Sequence, residues 1–206
     1  MTTGRFITLE GGEGSGKSTQ GALLAEALRR RGHEVVLTRE PGGTPGAEAI
    51  RALLVTGEPD RWPPWSDALL MTAARVDHVA RVIRPALARG ATVICDRFID
   101  STRAYQGAGR GLPDAALVRL HDDAVGLWPD CTLVLLLDEA EGLRRALARG
   151  GSEARFEAIG GDFHARVQGF FTALPTAEPA RCRAIDAGGS IAQVAARITA
   201  ALARPA

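Results

Sequence analysis

The sequence predicts a three-layer α/β fold: a five-stranded parallel sheet covered by helices on both faces. Three observations carry this expectation. Short apolar or β-branched runs alternate with longer helical segments along the 206 residues, the pattern of strands joined by helical crossovers. The run CTLVLLL at 131–137 is apolar at every position but Thr132, as suits a strand buried on both faces. A glycine cluster, GGEGSGKS at 11–18, stands between the first strand-like run and the first helical one, where a helix N-terminus offers its N–H groups to an anion.

Residues 6–10 read as the first strand, and 20–31, rich in Ala, Leu, Glu and Arg, as the first helix. A second strand is expected over 34–38, stopped by a stretch whose proline and glycines end regular structure. A helix follows from Pro45 to about Val55, and Trp62, Pro63, Pro64 and Trp65 form a corner. Residues 66–89 have long helical potential, with Pro85 as a kink or a break. Three further strands are expected over 91–95, 131–137 and 182–186, with helices over 113–126, 139–149, 160–174 and 190–202. No linker or repeat divides the chain, so one domain over 1–206 is expected, with an excursion around 150–161.

Composition narrows the function. Lys and Arg total 25 against 24 Asp and Glu, a net charge of +1, so no global field attracts a nucleic-acid backbone and any anion site must be local. A hydrophobic share of 46% with 24% charged residues excludes disordered and fibrous classes. The odd set Cys95, Cys131 and Cys182 adjoins strand-like runs and fits buried thiols better than disulfides or a zinc site. The N-terminus has no basic segment leading into a long apolar stretch, and no window approaches 18 uncharged apolar residues. A cytoplasmic protein, neither exported nor membrane-bound, is expected.

The sharpest signal is Gly11-Gly12-Glu13-Gly14-Ser15-Gly16-Lys17-Ser18, followed by Thr19. It matches the P-loop pattern in the strand-to-helix position that pattern requires. The glycines let the backbone curl around phosphate oxygens, Lys17 adds a mobile positive charge, and Ser18 can ligate Mg²⁺. The second magnesium ligand is Asp96 or Asp138, each at the end of a strand-like run. Asp96 is favoured because Arg97 follows it and can hold a second phosphate. Glu13 is unusual company for phosphate, so it points away from it or meets a sugar hydroxyl.

Further blocks follow in order: Arg39-Glu40-Pro41-Gly42-Gly43-Thr44, Ala73-Ala74-Arg75, Asp96-Arg97-Phe98, Ser101-Thr102 and Ala104-Tyr105-Gln106-Gly107. With the P-loop, they make nearly the whole chain resemble the thymidylate kinase family. The resemblance implies a P-loop kinase fold and ATP- and magnesium-dependent phosphorylation of dTMP to dTDP. Arg39 and Arg97 would clamp the acceptor monophosphate, with Lys17 and Arg97 stabilising transfer. It implies that Arg75 meets the thymine carbonyl edge, that Thr102 and Gln106 face the base, and that Tyr105 crowds the sugar. Phe98 would pack the pocket wall, and Met71 stands where the family usually stacks a phenylalanine on the base.

A mobile lid around 146–161 is implied, with Arg145, Arg149 and Arg155 as candidate donors to the transferring phosphate and Arg149 and Arg155 favoured. The family's acidic residue before the second arginine is here Ala154. Adenine would lie near the glycine-rich turn after Asp186, and relatives dimerise through long helices, here 66–84. Other readings are another pyrimidine nucleoside-monophosphate kinase and a non-catalytic nucleotide-binding switch.

Overall fold

Five parallel strands in the order β2-β3-β1-β4-β5 form the central layer of the computed structural model, which describes residues 4–138, 140–142, 144, 145 and 160–203. The strands are β1 (Arg5–Glu10), β2 (Val35–Arg39), β3 (Thr92–Asp96), β4 (Cys131–Leu136) and β5 (Cys182–Asp186). The helices wholly within the described residues are α1 (Lys17–Arg30), α2 (Pro45–Val55), α3 (Pro64–His78), α4 (Arg84–Ala88), α5 (Ile99–Thr102), α6 (Asp114–Ala124), α7 (Gly161–Ala177) and α8 (Ile191–Ala203), and residues 140–142, 144 and 145 are helical as well. Each expected strand is present within a residue or two of its expected bounds.

Alternation along the strands sorts the two faces. Ile7, Leu9, Ile94, Leu133 and Ile185 face α1 and α8, packing with Leu24, Val194 and Ile198. Phe6, Val93 and Cys95 point the other way, onto Val79, Ile83, Ala86 and Phe98, while Val134 meets Phe163, Val167 and Phe171 of α7. At roughly 2 kcal/mol per fully buried large apolar side chain, these two layers hold the sheet between them. All three cysteines are free and buried.

Two segments depart from regular helix. The potential read over 66–89 is divided: a π-helical turn, Val79–Ile83, joins α3 to α4, and the Arg84 N–H reaches the Val79 carbonyl, five residues back. Pro85, which has no N–H to donate, follows directly on this wide turn, in the first turn of α4. A second π segment, Arg103–Gly109, continues α5, and both together carry the Thr102-to-Gln106 block, for which the sequence suggested no element.

Beside this layer a buried ion network ties distant parts of the chain together. Asp100 is fully buried; Arg181 donates to its two oxygens at 2.8 and 2.7 Å, and Arg103 donates at 3.0 Å. Arg103 also reaches Asp114 at 2.8 Å and Glu178 at 2.6 Å. The network thus joins α5, α6, the end of α7 and the entry to β5.

His121 of α6 lies edge-on to Phe98 and Trp128. Its Nε2–H donates to the Leu127 carbonyl at 2.8 Å, while the buried Nδ1 has no partner among the described residues. Burial first, then the charge of Arg75, push its pKa down to about 4. A depressed histidine pKa favours the folded state above the unfolded value of about 6.5, and that contribution is lost as pH falls toward 4. The unfolding midpoint relative to a His121→Phe variant is therefore expected to drop across that window in thermal scans, whereas a constant gap would contradict the assignment.

Candidate active site

The site forms where β1 and β3 end. Gly16 caps α1 in the left-handed region at φ 87°, a conformation that suits glycine, and the turn brings Lys17 back over the loop. Its Nζ donates to the Gly12 carbonyl at 2.8 Å and the Gly11 carbonyl at 3.0 Å, and lies 3.3 Å from Ser15 Oγ. Burial, with the charge of Arg97 adding to it, holds the ammonium below its ordinary pKa. Gly11, Gly12, Glu13, Gly14, Ser15, Gly16, Lys17, Ser18 and Thr19 thus form one continuous turn into α1.

Asp96 is register-paired with Leu9 of β1 on one side and Arg39 of β2 on the other. The Ser18 hydroxyl donates to its carboxylate at 2.5 Å. Asp138, the other candidate for the metal, instead accepts the Glu141 N–H at 3.2 Å. Among the described residues no cluster of three or more His, Cys, Asp or Glu could hold a metal ion.

Arg97 follows Asp96 with φ 68°, strained for a side-chain-bearing residue. Its guanidinium donates to Glu13 at 2.6 Å, to Tyr105 Oη and Ser101 Oγ at 3.1 Å, and lies 5.0 Å from the centroid of the Tyr105 ring. Tyr105 in turn donates to Glu13 at 2.9 Å. Glu13 therefore turns from the interior of its loop toward the neighbouring cleft.

That cleft encloses about 550 Å³ including its open mouth, and its walls include Glu13, Met71, Arg75, Arg97, Phe98, Thr102, Tyr105 and Gln106. Arg75 is buried against Phe98, 4.9 Å from the ring centroid, and donates to Glu40 at 2.7 Å and Thr102 Oγ1 at 3.1 Å. Among the described residues, its Nη1 and the Gln106 Nε2 are buried without hydrogen-bond partners. Two orphaned donors in one cleft are costly unless a ligand supplies acceptors.

Other expected site residues lie apart from these. Arg39 bonds the Pro41 carbonyl at 2.9 Å and Glu48 at 3.1 Å, and is not among the side chains lining the cleft. Arg145 pairs with Glu141 at 2.7 Å. Arg149 and Arg155, with the lid expected at 146–161, fall almost wholly outside the described residues.

Sequence reasoning quoted Glu40 but gave it no role. Its carboxylate accepts from Arg75 and, at 3.0 Å, from His78 Nδ1, while His78 Nε2 lies 2.8 Å from the Thr38 hydroxyl. This chain fixes Arg75 from below. The only sequence signal was a glutamate beside a proline-glycine turn; its partner lies 35 residues away.

A P-loop at the end of β1, turning into α1 beside a separate cleft, is the arrangement expected of a P-loop phosphotransferase. A family profile described as thymidylate kinase matches residues 9–198. A thymidylate kinase of Caulobacter vibrioides is 54% identical over 200 residues, covering 97% of this chain and 96% of that protein. One from Ruegeria pomeroyi is 52% identical over 197 residues, covering 96% and 93%. The crystal structure of thymidylate kinase from Ehrlichia chaffeensis superposes with a TM-score of 0.78 at 35% identity, covering 97% of this chain and 99% of that one. The chain belongs to the thymidylate kinase family.

Proposed function

We infer that the protein transfers the γ-phosphoryl group of ATP to dTMP, giving dTDP and ADP. The observation that carries this reading is the pair of buried donors on Arg75 and Gln106, unpartnered among the described residues and set in the cleft that also holds Arg97. A thymine ring offers two carbonyl acceptors to such donors. Family membership makes dTMP the acceptor of choice.

In this reading the P-loop backbone and Lys17 hold the ATP phosphates, and Arg97 holds the phosphate of dTMP. An oxygen of that phosphate attacks the γ-phosphorus as the bond to the ADP oxygen breaks. A monoester oxygen is already nucleophilic, so alignment and charge neutralisation replace a base. Tyr105 and Glu13 bound the sugar side, Thr102 positions Arg75, and Met71 covers the base. Arg39 reaches the acceptor phosphate only by leaving Glu48. The resemblance supports Arg149 and Arg155 as further phosphate donors, on a lid over 146–161 of a single catalytic domain.

Ser18 and Asp96 fit magnesium: a hydroxyl and a carboxylate 2.5 Å apart beside the phosphate loop suit an ion that takes its other ligands from phosphates and water. When bound, the ion neutralises phosphate charge. In this reading the adenine lies near the turn at 187–190, just before Ile191, whose carbonyl accepts from Gln20 at 2.9 Å.

The test is product formation from ATP-magnesium with dTMP, dUMP, dCMP, dGMP and dAMP supplied separately. Strong preference for dTMP is the expected result. Transfer to another monophosphate would overturn the base assignment, and binding without transfer would favour a nucleotide switch.

A homodimer is the second element of the reading. Trp65, Leu69 and Val76 are exposed on α3 at 43%, 53% and 39%, with spacings that place them along one helical face. A Leu69→Glu variant is expected to sediment as a folded monomer while the parent sediments as a dimer. An unchanged sedimentation coefficient would rule this face out.

A further inference from the structure

Glu10 is a fully buried carboxylate at the end of β1 that takes no part in the chemistry above. Its Oε1 accepts the Phe98 N–H at 2.7 Å and the Ser101 N–H at 3.2 Å, and its Oε2 accepts the Ser101 hydroxyl at 2.6 Å. The same hydroxyl accepts from Arg97 at 3.1 Å. The carboxylate is thus bonded immediately after the one non-glycine residue with positive φ among those described. It also stands one hydroxyl away from that residue's guanidinium.

From this geometry we propose that Glu10 is a positioning residue for Arg97, clamping its left-handed backbone through Phe98 and aiming its guanidinium through Ser101. Three features support it. The donors to Glu10 are Phe98, next to Arg97 in the turn, and Ser101 on α5, whose hydroxyl also meets the Arg97 guanidinium; none comes from the P-loop it adjoins. Burial and the neighbouring Asp100 push its carboxyl up to about 7, so an apolar residue would be easier to bury here. The Arg97 N–H is tied to the Leu9 carbonyl at 3.0 Å, so the turn is held to the end of β1 from two adjacent residues. If the clamp is lost, the guanidinium keeps Glu13 and Tyr105 but loses its fixed angle to the acceptor.

The proposal rests on the reading of Arg97 as the acceptor-phosphate ligand, and the test separates the two. Glu10→Gln keeps the shape but replaces one acceptor oxygen with a donor. Its kcat/KM for dTMP is expected to fall about 10- to 100-fold, as for a misaligned phosphate clamp, with KM for ATP changed less than about twofold. In an Arg97→Gly background the same substitution is expected to cost nothing further, because a residue acting through another loses its effect with it.

Equal losses toward ATP and dTMP, additive losses in the double variant, or unchanged kinetics in folded Glu10→Gln would each overturn the proposal. Should Glu10→Gln fail to fold, Ser101→Ala decides, since both backbone bonds to Glu10 survive it. The same selective loss, absent in the Arg97→Gly background, is expected, and additive loss overturns the relay. If the parent prefers another monophosphate, the dTMP reading fails and the cycle is run with that acceptor.

Discussion

An Arg97→Gly variant is expected to fold with a midpoint close to the parent's while its kcat/KM for dTMP falls about 10³-fold. The backbone explains the first half. Arg97 sits at φ 68°, a region that costs a side-chain-bearing residue about 1 kcal/mol and glycine almost nothing. That relief offsets the loss of the partly buried pair with Glu13, whose carboxylate keeps the Tyr105 hydroxyl.

The guanidinium explains the second half, because it is a cation that lines the cleft and also reaches the P-loop, with Gly11's carbonyl 3.3 Å away. Denaturation and steady-state kinetics on the same preparation decide it. Turnover retained in a folded variant would remove Arg97 from the acceptor phosphate. A comparable loss is expected for Lys17→Ala, expressed toward ATP.

Asp100→Asn is expected to destabilise the protein by about 3–5 kcal/mol, the usual cost of breaking a buried pair from one side. Asp100 is the shared anion of Arg103 and Arg181, whose side chains are only 9% and 14% exposed. Without its charge the two guanidinia remain close together, and only the more exposed Glu178 and Asp114 are left to them. Equilibrium urea unfolding should show a lower midpoint at unchanged slope. A Glu178→Gln variant, altering a carboxylate that is 30% exposed, should lose about 1 kcal/mol. Similar midpoints for the two variants would show that burial does not set the cost.

The sheet was legible because burial on both faces leaves an unmistakable composition: β4 reads CTLVLL with five of six residues buried. The P-loop was legible because a phosphate cradle needs fixed residues at adjacent positions. What escaped depends on distance along the chain. Glu40 finds Arg75 after 35 residues, and Asp100 finds Arg181 after 81, and nothing local to either partner announces the match. Arg39 shows the same limit from the other side: its near neighbour Glu48 on α2 holds the guanidinium, a pairing that the sequence did not suggest. The π segments were hidden too, since a five-residue hydrogen bond leaves no periodic trace over one turn.

The three buried thiols have a practical consequence. Burial raises the pKa of Cys95 and Cys131 as well, and that of Cys182 to about 12, so at pH 8 only about one Cys182 in ten thousand carries the reactive thiolate. A thiol-alkylating reagent therefore meets almost no target in the native chain and three in the opened one. Its rate of consumption becomes an internal clock for spontaneous opening, read without any introduced label and able to time the variants above in the absence of denaturant.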